Sequence, residues 1–416
     1  MPLTVDEFLK RDLNRRQFLG RSACRAATVA AGVMTLSANA AAAPSSRVPV
    51  AVIGVRNRGR ELATTLAAQS DVELRTLCDI DPSVLHSAAA QLSPLTAHPV
   101  TIEGDYRRIL DDPAIAAVVI ATPDHSHVPL ALAACAAGKD IYLESPVIGR
   151  LEESGRLLTA AASSTCLIQA GLQERSGAVI RDSIQFLHRG RLGTVRLAKA
   201  WVVHRRKPLP KKADDATPDG VDYTAWLAAH EPRPFNPNRF HFNWRWFWDY
   251  GGGELSQWGS HLLDLARWGL QVDWPERVAA LGGKYAFQDA TETPDTLSVQ
   301  YGYADKTILW EHRLWSAHPI EGRSSGVAFY GDKGVLVLDR SGWKVYDGEP
   351  AGGVTTAREL DVAHLRNFVD SIRTRQTPAA DLTTATISAG LCHLGNQAYR
   401  AGRELTPADW QRDLIV

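Results

Sequence analysis

The sequence predicts an α/β protein, with an N-terminal Rossmann-type, doubly wound parallel sheet followed by a C-terminal α/β domain built on an open, mainly antiparallel sheet. Three observations carry that expectation. Short apolar runs alternate with helical stretches between residues 48 and 144, a glycine-bearing turn follows the first run, and beyond residue 163 the runs lengthen and alternate. At 416 residues the chain also exceeds what one hydrophobic core ordinarily holds, about 250–300 residues. The expected boundaries are 1–43 for an export signal, 44–162 for a nucleotide-binding domain and 163–416 for a substrate-binding and oligomerisation domain.

In chain order, Val48-Pro49-Val50-Ala51-Val52-Ile53 is apolar on both faces, as a strand inside a parallel sheet must be. A helix is expected over 58–69, a second strand over 72–78 ending at Asp79, and a third over 116–120 running into Thr122-Pro123. An Ala/Leu-rich helix over 128–137 is stopped by Gly138, and a strand over 141–143 ends at Glu144. Alternation at this spacing makes βαβ units. Beyond 163, helices are expected over 178–189 and 253–270, strands in 297–303, 306–314 and 335–345, and a hairpin turn at Gly331-Asp332-Lys333-Gly334. The stretch 207–239, rich in Pro, Lys and Asp, reads as a long surface excursion.

Lys+Arg and Asp+Glu both number 46, so the chain has no electrostatic bias toward nucleic acid or an anionic membrane, and a small-molecule partner is expected. Five widely spaced cysteines form neither a disulfide framework nor a zinc pair, and no metal is expected. The first residues read as an address. Asn14-Arg15-Arg16-Gln17-Phe18-Leu19 is a twin-arginine pattern, and an uncharged Ala/Gly/Thr/Ser-rich run to Ala43 follows, containing the small-x-small site Ala38-Asn39-Ala40. A membrane anchor would want ~20 strongly apolar residues, so cleavage near Ala40 to Ala43 and no stable membrane association are expected. The expected location is the periplasm, reached through the twin-arginine export machinery. That route carries folded cargo, which suits an enzyme loaded with a nucleotide before export.

The first strand runs into Gly54-Val55-Arg56-Asn57-Arg58-Gly59. In a dinucleotide fold the first glycine makes the tight turn, the second lets the backbone approach the pyrophosphate and the third packs helix on strand, while an acid at the end of the second strand accepts from the ribose. Here Arg56 stands at the second glycine and Asp79 at the acid. An acid there favours NAD, because it repels a 2′-phosphate. Arg56 or Arg58 can offset that repulsion, which leaves NADP open.

Two further landmarks carry a family resemblance. Ala121-Thr122-Pro123-Asp124-His125-Ser126-His127 and Gly138-Lys139-Asp140-Ile141-Tyr142-Leu143-Glu144-Ser145-Pro146 are similar to the "TP…H" loop and the Glu-Lys-Pro motif of the glucose–fructose oxidoreductase/inositol dehydrogenase family, Gfo/Idh/MocA. The likeness continues through Gly171-Leu172-Gln173-Glu174-Arg175, Gly251-Gly252-Gly253 and His261-Leu262-Leu263-Asp264 to His364-Leu365-Arg366-Asn367-Phe368. The resemblance implies a sugar-acting enzyme with tightly bound NAD(P), working as a homo-oligomer. It also implies cofactor contacts at Gly54, Val55, Arg56, Asn57, Arg58, Asp79, Thr122, Pro123, His127, Glu144, Ser145 and Gln173, and a catalytic set at Glu144, Gln257 and His261.

Three positions depart from the family pattern. Ser145 stands at the motif's lysine, Gln257 at the aspartate four residues before the histidine, and Arg56 at the glycine. Spacing of four keeps Gln257 and His261 on one helix face, but neither Ser nor Gln titrates near neutrality, so His261 is the expected proton acceptor. A structural role for His261, with its ring satisfied by Asp264, stays open. Ser145 needs a neighbouring base to act and the sequence identifies none, so its loss is expected to matter much less. Glu144 reads either as a ribose contact or as a strand-end cap, and Arg175 as a cleft residue or a solvated one. The run Phe240 to Tyr250 holds three of the twelve tryptophans; Trp246 and Tyr250 are candidates to stack on a sugar, or else to fill a core.

Three functions are therefore weighed. The first is an exported oxidoreductase with a tightly held nucleotide recycled in place by a second substrate. The second is a redox-neutral, NAD-dependent glycoside hydrolase working by oxidation and elimination, a branch in which the lysine is also missing from some members. The third is a sugar-binding protein that kept the fold and lost the cofactor.

Overall fold

The structure, a computed structural model, describes residues 47–346 and 352–414. The twin-arginine pattern, the run to Ala43 and the following linker lie outside the described residues.

The first layer system is β1 (Val48–Ile53), α1 (Asn57–Ala67), β2 (Val72–Cys78), α2 (Pro82–Leu92), β3 (Thr101–Glu103), α3 (Tyr106–Asp111), β4 (Ala117–Ile120), α4 (His127–Ala136), β5 (Asp140–Leu143), α5 (Ser154–Ala162) and β6 (Ile168–Ala170). The strands pair in parallel in the order β3-β2-β1-β4-β5-β6. The apolar runs have a direct cause. Val50, Val52, Ala117 and Val119 face one buried cluster, and Ala51, Ile53, Val118 and Ile120 face another, so helices cover both faces. Order reverses between β1 and β4, which opens a crevice at the C-terminal ends of these strands.

The second system begins with α6 (Ala178–His188), β7 (Val195–Val203), α7 (Tyr223–Leu227) and α8 (Gly253–Leu270). It continues with β8 (Arg277–Gly283), β9 (Thr296–Gly302), β10 (Thr307–Arg313), β11 (Ser325–Gly331), β12 (Gly334–Asp339), β13 (Gly342–Tyr346) and β14 (Gly352–Val354), then α9 (Ala357–Thr374) and α10 (Leu382–Ala401). Its eight strands run β14-β13-β12-β11-β7-β10-β9-β8, antiparallel except where β7 pairs β10. Helices α8 and α10 cover one face with Leu255, Leu262, Leu263, Leu391 and Leu394. The single run expected over 335–345 is two strands, β12 and β13, because Arg340 and Ser341 turn the chain between them.

The boundary expected after 162 needs correction. Strand β6 lies beyond it and belongs to the parallel sheet; at three residues it is too short to leave a pattern. The chain also returns. Leu365, Phe368 and Val369 of α9 pack on the Val50/Val52 face, and Leu382, Ala385 and Ala389 of α10 on the opposite one. Nor is the excursion only a surface loop. Residues 211–220 are exposed, but Trp226, Phe235, Phe240, Trp244, Trp246, Phe247 and Tyr250 form a buried aromatic cluster that includes Ile80, just beyond β2. The Asp222 N–H donates to Ile80 O at 3.1 Å, and His125 Nε2 lies 2.6 Å from Trp226 O, so the excursion folds back over the crevice.

Candidate active site

A cavity of about 900 Å³ occupies the crevice, walled by the ends of β1, β2, β4 and β5, by α8 and by the excursion. At the turn after β1, Gly54 has φ +83°, and a Cβ there would sit 2.8 Å from the Ala121 carbonyl; a Cβ on Gly59 would meet Gly54 O at 1.7 Å. Both glycines are therefore sterically required. Arg56 is not at such a position: its φ is −72°, and it sits at the N-cap of α1, exposed at the cavity wall beside Asn57. A side chain replaces the second glycine without backbone strain and places a cation where a pyrophosphate would meet the helix N-terminus.

Asp79 lines the cavity, with Oδ2 accepting from the Val55 N–H at 2.9 Å and Oδ1 from the Asp81 N–H at 3.1 Å. Val55 itself is buried behind that bond and is not on the cavity wall. Thr122, Pro123 and His127 form the rim after β4, and the His127 ring nitrogens lie 2.8 Å from Thr122 O and Pro146 O, linking the two loops.

Glu144 is a hub. Arg58 Nε donates to it at 2.8 Å, Gln173 Nε2 at 3.2 Å and the Ser145 N–H at 2.9 Å, while the other end of Arg58 forms a two-bond pair with Asp361 of α9 at 2.7 and 2.8 Å. Burial pushes the Glu144 carboxyl up, but Arg58 outweighs it and holds the group below its ordinary value. Glu144, Arg58 and Gln173 all reach the cavity surface.

At the other end, His261 Nε2 lies 2.9 Å from Ser145 Oγ, and Nδ1 lies 3.1 Å from Glu174 Oε2. Arg340 Nε donates to the second Glu174 oxygen at 2.6 Å. Burial raises the Glu174 carboxyl, and Arg340 with His261 overcomes this and keeps it well below the carboxylate range. The neighbour of Ser145 that the sequence does not identify is His261: β5 delivers Ser145 and α8 delivers His261 to one point, across 116 residues of sequence. The alternative partner for His261 is corrected too. Asp264 instead accepts from Arg175 at 2.7 and 2.9 Å. That buried pair keeps Arg175 off the cavity wall, so it is not placed to meet a substrate.

Gln257 does share a face with His261, and its Nε2 donates to Asp124 Oδ2 at 2.9 Å. Burial pushes the Asp124 carboxyl up to about 8 against the opposing charge of Arg245, and likewise Glu254 in the first turn of α8. Trp246 and Tyr250, the expected stacking residues, are packed inside the aromatic cluster; Phe242, Trp244 and Arg245 of the same run face the cavity instead. The 3₁₀ turn at Asn243–Trp246 breaks the alternation that the sequence reading assumed. Asp124, Glu174, Arg245 and Arg340 were not identified as site residues from sequence. Asp124 and Glu174 sit inside quoted motifs, whereas Arg340 carries no local signal. Among the described residues no His/Cys/Asp/Glu group is disposed to hold a metal ion, and no helix is long and apolar enough to cross a membrane.

The two glycines that admit no Cβ, the acid after β2 and a cavity of this volume fit a dinucleotide. Fold and site together define a two-domain, nucleotide-dependent oxidoreductase. Residues 48–172 match the oxidoreductase family with an NAD-binding Rossmann fold, GFO/IDH/MocA, and residues 200–333 match its C-terminal alpha/beta domain. The chain belongs to this family, and its N-terminal domain binds NAD. An uncharacterised oxidoreductase of Synechocystis sp. is 25% identical over 339 residues, 73% of this chain and 82% of the relative. A levoglucosan dehydrogenase of Pseudarthrobacter phenanthrenivorans is 33% identical over 257 residues, 56% of this chain and 58% of the relative. A glycosyl hydrolase family 109 protein of Stenotrophomonas maltophilia is 35% identical over 138 residues, 32% of this chain and 29% of the relative. This chain thus spans most of the first relative and less than two thirds of the other two. Among solved structures, a levoglucosan dehydrogenase complexed with NADH and levoglucosan superposes with a TM-score of 0.68 at 18% identity, over 86% of this chain and 99% of the other.

Proposed function

We propose that this chain is an exported oxidoreductase that holds NAD tightly and acts on a hydroxyl of a sugar or glycoside, with His261 as the proton acceptor. The observation that carries the reading is the anchored imidazole: Glu174 fixes Nδ1, so Nε2 is presented as a base where the nucleotide crevice meets the wall of Phe242, Trp244 and Trp258. Aromatic faces and interspersed hydrogen-bonding groups suit the apolar and hydroxylated faces of a sugar. Nicotinamide, when bound, takes up the electron pair of the substrate C–H bond. The levoglucosan dehydrogenase relative supports a carbohydrate substrate. Tight retention rests on the excursion, whose Asp222, Trp226 and His241 lie over the nucleotide end of the cavity. Export through the twin-arginine machinery to the periplasm, and self-association into a homo-oligomer, belong to the same proposal.

The replacement of the motif lysine by Ser145, together with the glycosyl hydrolase relative, favours a second reading. In it the sugar is oxidised, the glycosidic substituent is eliminated and the electrons are returned, with no net redox change. A protein that has lost the cofactor finds no support in the sterically required glycines.

The test is nucleotide release. Acid-treated, purified protein is expected to yield NAD by mass spectrometry, roughly one per chain; absence of nucleotide, together with no calorimetric binding of added NAD or NADP, would sink both redox readings. A glycoside panel then separates them, since the hydrolase releases aglycone without a lasting change in nicotinamide absorbance.

A further inference from the structure

We propose that Ser145 Oγ, rather than the imidazole, meets the substrate hydroxyl and relays its proton to His261 Nε2; this rests on the oxidoreductase reading above. Both ring nitrogens of His261 are already occupied, Nδ1 at 3.1 Å from Glu174 and Nε2 at 2.9 Å from Ser145. A carboxylate offers only lone pairs, so Nδ1 carries the ring proton and Nε2 is left as an acceptor. The Ser145 hydroxyl must then donate to Nε2, which leaves its oxygen lone pairs for a donor arriving from the cavity. Both residues line the cavity, and Ser145 is the more accessible of the two: it is half-buried, while His261 is buried at 9% exposure. The Ser145 main chain is fixed from behind by its N–H bond to Glu144. A hydroxyl backed by a base and an orienting acid is the arrangement that activates an alcohol oxygen.

In the forward step the substrate O–H proton passes to Ser145 Oγ as the serine's own proton passes to His261 Nε2. Oxidised NAD, held in the crevice, would supply the acceptor for the C–H hydrogen and its electron pair as the carbinol carbon becomes a carbonyl. The imidazolium is stabilised by Glu174, a positioning residue that Arg340 holds in turn.

The test has an arm that needs neither substrate nor turnover. Protein labelled with ¹⁵N-histidine, with the His261 signals assigned by their loss in His261→Ala, is expected to show a protonated Nδ1 and a bare Nε2 at pH 8, and Glu174→Gln is expected to abolish that fixed tautomer. A proton on Nε2 in the wild type overturns the relay. In kinetics, Ser145→Ala is expected to lose ~10²-fold in turnover with unchanged nucleotide content, and Ser145→Thr to keep most of it. Ser145→Ala turning over as fast as wild type means that substrate docks directly on His261, and overturns the relay while leaving the oxidoreductase reading intact. Wild type that carries NAD and oxidises no carbohydrate breaks that reading instead.

A separate observation concerns the opposite end of the parallel sheet. Cys135 near the end of α4 and Cys166 just before β6 bring their sulfurs to 3.2 Å, and Ser164 Oγ lies 2.7 Å from Cys166 Sγ. We infer that this pair is a disulfide-forming site. Cys166 is half-buried and reachable, while Cys135 is buried behind it. Hydrogen bonding from Cys135 and Ser164 pulls the Cys166 thiol below its ordinary value, which favours the thiolate on the more accessible of the two sulfurs. A low-molecular-weight disulfide such as oxidised glutathione is attacked by Cys166; Cys135 then displaces the glutathione thiol. Two protein thiols thereby become one disulfide and the oxidant becomes two thiols. After equilibration with oxidised glutathione, denaturing alkylation and peptide mapping are expected to find Cys135 linked to Cys166, with Cys78 and Cys392 alkylated. Alkylation of both Cys135 and Cys166, or glutathione retained on Cys166 alone, would overturn the assignment.

Discussion

Two ring nitrogens and two partners define what His261 is able to do. Glu174 holds one ring nitrogen and Ser145 the other, so the imidazole is oriented before any substrate arrives. His261→Ala is expected to lower turnover ~10²–10⁴-fold with fold and nucleotide content retained, as measured by steady-state kinetics beside circular dichroism and nucleotide release. Turnover close to wild type would make the histidine structural. Asp124 gives a second expectation at this scale. Burial raises its carboxyl from the ordinary 3.8 to about 8, so between those values the folded protein holds a proton that the unfolded chain has released. The stabilisation is complete below the lower value and is lost as pH rises through the upper one. Asp124→Asn removes this loss, so its melting temperature is expected to gain on wild type from pH 5 to pH 8, by up to ~1 kcal/mol of stability per pH unit. A constant difference across that range would show that Asp124 is ionised in the fold. Glu254, raised in the same way, keeps part of the slope in the variant.

At the scale of elements, the site depends on where strands and helices end. Strand β5 carries Glu144 and Ser145 to the cavity, α1 brings Arg58, and α9 brings Asp361 from more than 300 residues away, and these meet in one ion-pair network. Arg58→Ala leaves Glu144 buried without its main counter-charge, and a cost of ~2–4 kcal/mol in urea denaturation is expected. A loss under ~0.5 kcal/mol would show that Gln173 and the Ser145 N–H suffice. The alternation of apolar runs was enough to read β1, β2, β4 and β5, because burial on both faces leaves uninterrupted Val, Ile and Ala. Helix α8 was read to the residue: Gly253 (φ +66°) opens it, and Gln271 in the left-handed region ends it. The three-residue β6 left no periodic trace, and the aromatic run that looked like alternating wall residues is interrupted by a 3₁₀ turn.

At the scale of the whole molecule, the second domain sends its 204–250 segment back over the crevice of the first, and α9 and α10 close the layers of the parallel sheet. The export proposed above would need a route for folded cargo, because the layers and the nucleotide site form only in the assembled protein. Arg15→Lys combined with Arg16→Lys conserves charge and is expected to abolish periplasmic accumulation in cell fractionation; normal accumulation would mean that the leading residues are not that address. What the sequence determined by itself was local and repetitive: the two sheet types, the required Gly54 and Gly59, the acid at Asp79 and the shared helix face of Gln257 and His261. These follow from periodicity, chirality and fixed spacing, which a stretch of chain carries wherever it is placed. Tertiary structure alone decided which groups meet. It set Ser145 against His261, turned Asp264 to Arg175 rather than to the histidine, buried Trp246 and Tyr250, and raised Asp124, because partners and solvent access depend on segments distant in sequence that converge only when the layers pack.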